Sequence, residues 1–402
     1  MNIGFVSTWY DRGGAYVTKA YLNAVSSGGH RVFVYARGDN GKGKGNPNWD
    51  MPYVTFGLNL WDTNINQSHF DRWIRRNQLD IVFFNEQMEF SIVAHIKKDF
   101  PKIKTGSYID YYTETMLPYF QLYDFIICNT HRHMEAMSEH PQKYFVRWGT
   151  NIDLFKPVQK KDTDNGMPVF FHSAGMSYRK GTDILVDAFI HGKLYEKSKL
   201  VIHTQIEISK QCNYTKEELA SKNIEVIEQT VTAPGLYYMG DIYVYPTQLE
   251  GVGLTMYEAL ASGLPVITTN FPPMNEFIDG SNPSIGQVIT PERLYARADG
   301  YLWPLAKCSE SSLIQCMEYY ITHSDQLHEY QQSARDFAVK ELNWESRYSE
   351  INHIFESAVI RTTDDKLCNQ VIRKEKRARL HHLLLAFLTN THFDSILLKF
   401  VK

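Results

Sequence analysis

Short continuous runs of apolar and β-branched residues alternate with helix-period patterns along most of the chain, and this alternation limits the fold more than any other feature. Ile3–Ser7 is such a run. A loop holding Gly13 and Gly14 follows, and then Val17, Ala20, Tyr21 and Ala24 recur at i, i+3, i+4, i+7, the spacing of one helix face. The stretches Arg31–Ala36, Ile81–Phe84, Ile103–Tyr108, Phe125–Cys128 and Tyr144–Trp148 are the next strand candidates. Strands apolar on both faces belong to parallel sheets covered by helices on either side. The polar, turn-rich stretch from Lys156 to Pro168 has no periodicity and reads as a linker. Beyond it the pattern restarts with Val169–Phe171, a helix from Gly181 to about His191, Leu200–Thr204, Ile224–Ile227, Ile242–Tyr245 and Val266–Thr268. The predicted class is α/β, with two doubly wound Rossmann-like domains facing a cleft. Ligands are expected outside the carboxyl ends of the strands.

Size and composition agree with this reading. The 402 residues suit two domains, and 43% hydrophobic with 22% charged residues excludes a disordered chain. No apolar run approaches the roughly 20 residues that cross a bilayer, and the first residues show neither a basic n-region nor a cleavage site. The cysteines at 128, 212, 308, 316 and 368 form no C-x-x-C pair, so a reducing cytoplasm is expected rather than a disulfide framework or zinc knuckle. From Arg361 onward nine Lys and Arg stand against four acids, a tail of +5 on a remainder of −8. A body this acidic argues against a nucleic-acid partner, and only the tail suits an anionic surface.

The most informative segment runs from Asp241 to Ile267. It reads as strand, glycine loop, helix, glycine stop and strand. Gly251 and Gly253 allow close backbone approach to a ligand, and the helix opening near Leu254 and Thr255 presents unsatisfied N–H groups and a positive dipole end. Such an end suits a phosphate. Glu250 stands on the loop rim and Glu258 about one turn inside. Carboxylates there would repel the phosphate itself and are better placed to accept hydrogen bonds from sugar hydroxyls.

The segment Glu250-Gly251-x-Gly253-Leu254, Glu258-Ala259 and Gly263-x-Pro265-Val266-Ile267 resembles the E-x7-E signature of the retaining family-4 glycosyltransferases, which have the GT-B fold. The resemblance implies that Glu250 contacts the transferred sugar and Glu258 the ribose of the nucleotide. The amides around Gly253, Leu254 and Thr255 would hold the diphosphate. Upstream, Ser173–Gly181 carries Arg179 and Lys180 ahead of a glycine at a helix start, a cation pair aimed at an anion. Met176 stands where the family usually has its arginine. Lys180 therefore carries over directly, and Arg179 acts as a substitute. Gly13 and Gly14 resemble the family's phosphate-side glycine loop in the first domain, which implies that they bind the donor. The stretch Arg147–Pro157 resembles the family's hinge-side segment, and Asn343-Trp344-Glu345 lies near the helix that crosses back. After the strand ending at Tyr108 the family often has His-Asp. This chain has Ile109-Asp110, so Asp110 carries over and the histidine does not. A front-face retaining mechanism tolerates that gap, because the leaving phosphate can take the acceptor proton.

The expected organisation is an acceptor-side domain over 1–155, a linker over 156–168 and a nucleotide-sugar-binding domain over 169–342. A crossover helix over 343–360 and a basic helical tail over 361–402 complete it. In the tail, Arg373, Lys374, Lys376, Arg377 and Arg379 precede Leu383-Leu384-Leu385. Then Phe393, Ile396, Leu397, Phe400 and Val401 recur behind a Thr391-x-x-Asp394 start. Residues 366–402 thus suit either an anchor on an anionic membrane surface or a helical hairpin packed on the body. The expected activity is metal-independent transfer of a sugar from a nucleotide-diphosphate donor to a glycan or lipid-linked acceptor. The catalytic set would be Glu250, Lys180, Arg179 and Asp110, without a cofactor. The setting would be surface polysaccharide synthesis, with the protein cytoplasmic or peripheral at the inner membrane face. A GT-B epimerase or phosphorylase and a non-catalytic nucleotide-sugar-binding protein are the alternatives.

Overall fold

The computed structural model describes residues 1–37, 41–58, 64–158, 166–362 and 364–390, with side chains in the last helix as far as Leu380. The chain divides into two compact units, one of residues 1–127, 137–144 and 351 onward, the other of residues 128–136 and 145–350.

In chain order the first sheet and its helices are β1 (Asn2–Ser7), α1 (Gly13–Ser27), β2 (Arg31–Ala36), β3 (Val54–Phe56), α2 (Gln67–Asn77), β4 (Ile81–Asn85), α3 (Ser91–Asp99), β5 (Lys104–Tyr108), β6 (Phe125–Cys128), α4 (His131–Ala136) and β7 (Lys143–Phe145). The strand order is β3-β2-β1-β4-β5-β6-β7, and β1 runs parallel to both its neighbours. Ile3, Phe5, Val6, Val82 and Phe84 are fully buried, as continuous apolar strands in a two-sided sheet must be. The rings of Phe5, Phe83 and Phe125 gather round Phe355 at centroid distances of 6.3, 5.1 and 5.3 Å.

The second unit contains β8 (Val169–Gly175), α5 (Thr182–His191), β9 (Lys199–Thr204), α6 (Lys216–Ala220), β10 (Ile224–Glu228), β11 (Ile242–Tyr245), α7 (Leu254–Ala261), β12 (Val266–Thr269), β13 (Gly286–Ile289), β14 (Pro291–Tyr295), β15 (Leu305–Cys308), α8 (Glu310–Thr322) and α9 (Leu327–Glu341). Its six-stranded sheet has the order β10-β9-β8-β11-β12-β13, and β14 and β15 form a separate hairpin. Phe170, Leu185, Leu200, Ile202, Ile242, Val244 and Ile267 build its core. The chain ends with α10 (Tyr348–Ser357) and α11 (Asp365–Asn390).

Several expected elements differ. The strand expected over 144–148 is β7, Lys143–Phe145, and stops early because the next residues serve another partner. Thr150 N–H donates to Leu342 O at 2.7 Å, Trp344 N–H donates to Thr150 O at 3.0 Å, and Trp148 and Trp344 lie 4.4 Å apart. A Cβ on Gly149 would stand 2.5 Å from Leu342 O, so glycine is what lets the two segments meet. Residues 145–155 accordingly belong to the second unit, and the chain returns to the first at Ile351. The strands β3 and β13–β15 have no counterpart in the sequence reading. Their runs are short, and β14 is charged and exposed.

The tail is a helix packed on the first unit as far as its side chains are described. Cys368 and Val371 are buried, and the Glu375 carboxylate accepts from the N–H groups of Phe90 and Ser91 at 2.6 and 3.0 Å, capping α3. Lys98 Nζ donates to Asn369 Oδ1 at 2.9 Å. Arg373, Lys374, Lys376 and Arg377 remain exposed. The expected start at Thr391 and the apolar positions from Phe393 to Val401 lie outside the described residues. Among the described residues no helix is long and apolar enough to cross a membrane.

Candidate active site

Two strand-to-helix turns of the second unit meet at the carboxyl edge of its sheet. The first follows β8. Gly175 takes φ +56, a single helical turn spans Tyr178–Lys180, and Gly181 opens α5 with φ +74. A Cβ on Gly181 would stand 2.2 Å from Pro246 O, so only glycine lets this turn pack against the one that follows β11. That second turn, Pro246–Gly253, ends with Gly253 at φ +80 as the N-cap of α7. Leu254 and Thr255 then form the first turn, where N–H groups have no intrahelical acceptor.

This packing brings Lys180 to Glu250. Lys180 Nζ donates to Glu250 Oε1 at 2.6 Å, and also to the hydroxyl of Tyr245. The same Oε1 accepts from Tyr245 at 2.9 Å and from Thr247 at 2.7 Å. Glu250 is 6% exposed. Burial alone would push its carboxyl up, but the Lys180 charge and the hydrogen bonds from Lys180 and Thr247, with the nearby Arg179, outweigh it and hold it below the ordinary range. Arg179 also ties the turns together. Its guanidinium donates to Leu249 O at 3.3 Å, while its carbonyl accepts from Gln248 N–H at 2.8 Å.

Glu258 has the opposite character. It lies half-buried on α7 and accepts from the Tyr237 hydroxyl at 2.6 Å. No cation is within ion-pair reach among the described residues. Desolvation outweighs that hydrogen bond and pushes its carboxyl up to about 7. His172, fully buried between Val244 O at 2.8 Å and the Thr182 hydroxyl at 3.0 Å, is driven down to about 4 by burial and is a neutral structural group.

Sequence reasoning missed two supports of this loop. Arg132, 4% exposed, donates to Glu250 O at 2.6 Å and to Pro272 O at 2.9 Å, beneath the ring of Trp303 at 4.5 Å. The hairpin reaches the same loop, where Ala306 N–H donates to Gln248 O at 2.9 Å and Tyr295 donates to the Gln248 side chain at 2.5 Å. Neither has a local sequence signal, since Arg132 lies more than a hundred residues from the glutamate it holds.

The remaining expected residues lie in the first unit. Gly13 and Gly14 open α1, and the Gly14 carbonyl accepts from Asn85 Nδ2 at 2.6 Å. A Cβ on Gly14 would stand 2.9 Å from the Glu86 carboxylate, which places that glutamate beside the turn although no motif marked it. Asp110 is buried and accepts from the Tyr108 hydroxyl at 2.5 Å. Among the described residues no group of three or more His, Cys, Asp or Glu is arranged to hold a metal ion.

Two sheets, each with a glycine-bearing turn next to its central strand, define a class. Sucrose-phosphate synthase from Thermosynechococcus elongatus superposes with a TM-score of 0.67 at 13% identity, covering 89% of this chain and 98% of that one. Anabaena HepE, solved with UDP and glucose, superposes with a TM-score of 0.65 at 16% identity, covering 89% and 100%. The fold is that of the GT-B glycosyltransferases. Residues 155–298, which include both turns, match the family model of the glycosyl transferases group 1. The lipopolysaccharide core biosynthesis mannosyltransferase LpsB of Rhizobium meliloti (strain 1021) is 31% identical over 130 residues, 30% of this chain and 37% of that protein. The O-antigen biosynthesis glycosyltransferase WclY of Escherichia coli is 27% identical over 106 residues, 26% of this chain and 30% of that protein. The chain thus spans about a third of the length of these two curated relatives.

Proposed function

We propose that the chain is a retaining, metal-independent glycosyltransferase that moves a hexosyl group from a nucleotide-diphosphate sugar to a glycan or lipid-linked acceptor in surface polysaccharide or glycoconjugate synthesis. The observation that carries this reading is the Lys180–Glu250 pair beside the amino end of α7. In the resting site the Lys180 charge is matched by a carboxylate. An arriving diphosphate would take Lys180 and the amides of Leu254 and Thr255 as its donors, leaving Glu250 to accept from hydroxyls of the transferred sugar. Glu258, with no cation of its own, suits the ribose hydroxyls. As the bond between sugar C1 and the phosphate oxygen breaks, charge grows on that oxygen, where Lys180, Arg179 and the helix end would stabilise it. The acceptor oxygen bonds to C1 on the same face, and its proton passes to the departing phosphate. No separate base is needed, and the cations supply what a divalent ion would.

Gly13 and Gly14 would belong to the donor-binding set and Asp110 to the catalytic set. The named relatives, a lipopolysaccharide core mannosyltransferase and an O-antigen glycosyltransferase, support the polysaccharide setting. The exposed cations of α11 would hold the protein at an anionic inner membrane face. Arg373→Glu with Arg377→Glu should then release it from anionic vesicles without loss of nucleotide binding. The central test is turnover of UDP-, GDP- and ADP-sugars in EDTA, with the anomeric configuration of the product read by NMR. Retained configuration with full activity in EDTA is expected. Inversion, or activity only with a divalent ion, overturns the mechanism. Nucleotide-sugar binding without transfer or hydrolysis points to a binding protein instead.

A further inference from the structure

The first unit holds a basic cavity that the transfer reaction does not use. It has a volume of about 440 Å³ and is lined by Thr55, His69, Arg72, Trp73, Arg75 and Arg76, with no carboxylate among them. Thr55 belongs to β3, the edge strand of the sheet, and the other five to α2, whose start is fixed by Asn66 accepting from His69 N–H. Arg72, Arg75 and Arg76 are spaced i, i+3, i+4, so their guanidinium groups share one exposed face. The opposite face anchors the helix through Phe70, Trp73 and Ile74, all buried.

A structural role accounts for only part of this set. Arg75 and Arg76 lie in the last turn, where a cation favours the helix dipole, and Arg75 also stacks over the Phe100 ring at 4.8 Å. Arg72 lies a turn earlier, where that benefit has faded, yet it faces the same cavity. Among the described residues none of the three takes part in an ion pair, so like charges converge without a counter-charge. His69 adds no further charge. Its Nδ1 lies 2.9 Å from the Tyr35 hydroxyl, and burial together with Arg72 keeps it below its ordinary pKa. Trp73, 3% exposed, adds an aromatic surface to the lining.

We propose that this cavity is a binding site for a phosphate ester. The wall offers three guanidinium forks and a threonine hydroxyl. Guanidinium groups only donate, and three positive charges match a multiply charged oxyanion better than a single carboxylate. The volume exceeds that of a phosphate group, leaving room for the esterified body against Trp73. The ester is either a soluble phosphorylated compound or a phospholipid headgroup. The site lies on a different sheet from Lys180 and Glu250.

The test uses the full chain carrying Lys180→Ala, which weakens the other claimant for a diphosphate. Parent, Arg72→Gln/Arg76→Gln and Arg72→Lys/Arg76→Lys chains are titrated calorimetrically with inorganic pyrophosphate. Each is also sedimented with phosphatidylglycerol and with phosphatidylcholine vesicles, and circular dichroism checks that it is folded. Both arginines are exposed, and a single Arg76→Gln chain serves if the double variant misfolds. One pyrophosphate per parent chain, weakened at least tenfold by the glutamine pair and by the lysine pair, supports a soluble ester. Absence of pyrophosphate binding, with phosphatidylglycerol-specific sedimentation weakened tenfold by both pairs, supports a headgroup. Equal behaviour of the glutamine pair and the parent in both arms overturns the site. So does full binding by the lysine pair, because diffuse charge rather than fork geometry would then explain it.

Discussion

The two sheets repeat one topology and wire it differently. In each, the first strand of the unit lies between the second and a later strand, so β1 stands between β2 and β4 as β8 stands between β9 and β11. Beside each central strand a carboxylate follows the neighbouring strand, Glu86 after β4 and Glu250 after β11. Glu250 is met by Lys180, Tyr245 and Thr247. The buried cation beside the first unit's Glu86, Arg37, donates instead to the backbone carbonyls of Asn85 and Glu86 at 2.5 and 2.6 Å. Its burial drives it down to about 10, against the pull of Glu86. The second turn is therefore a charge pair that a ligand can open, and the first is a backbone clamp. The proposed transfer needs a cation that can change partners.

The largest effect that would break this contrast is catalytic. Losing a positioned donor at a developing oxyanion costs on the order of 3 kcal/mol, roughly a hundredfold in rate. Lys180→Ala should lower kcat about that far with the thermal transition retained, and Glu250→Ala, which loses the acceptor for the transferred sugar, should lower it as well. Near-normal turnover in both would remove the second turn from the reaction.

Gly181 tests whether the two turns must touch. Alanine there meets both a left-handed backbone and the Pro246 carbonyl at 2.2 Å. Strain and overpacking together should cost about 2–3 kcal/mol, lower the midpoint of thermal unfolding and weaken turnover by moving Lys180 from Glu250. A stable Gly181→Ala protein with normal kinetics would show that the turns do not depend on each other.

In the first unit the corresponding experiment concerns stability. Arg37→Met leaves the Asn85 and Glu86 carbonyls without their donor and should cost about 2 kcal/mol in denaturant unfolding. The change in donor affinity should be small. A loss of donor affinity without a loss of stability would place Arg37 among the ligand groups instead.

How much of this was legible follows from the range of each interaction. The central strands of both sheets and the glycine frame could be read locally, because each depends on neighbours within a few residues. The resemblance of Arg147–Pro157 and Asn343–Glu345 to family segments also located two pieces that the fold joins through Thr150 and Trp344. The pairing of Lys180 with Glu250 spans seventy residues and required the two glycine turns to dock. Arg132 and Glu86 had no periodicity or motif to mark them. Their roles come from backbone carbonyls and glycines that only the folded chain brings near. The tail shows the same limit. Its charge and apolar spacing suited a membrane surface and a packed helix equally, and it took the Glu375 cap on α3 to favour packing up to Arg379.

The smallest effect separates the two carboxylates of the second turn by the sign of their pH dependence. Glu258, raised to about 7, keeps a proton in the folded protein between pH 4.5 and 7 that the unfolded chain has already lost. Its contribution to stability therefore falls as pH rises through that window. Glu250 is held low, so its contribution is present above the unfolded value and is lost only as pH drops through the depressed one. Glu258→Gln should thus gain on the parent between pH 5 and pH 8, by on the order of 1 kcal/mol given partial exposure, or a few degrees in Tm. Glu250→Gln should show no such gain, losing stability relative to the parent as pH rises from acid to neutral. Parallel Tm profiles for the two variants would mean that Lys180 does not distinguish these glutamates, and the contrast between a paired and an unpaired carboxylate would fall with it.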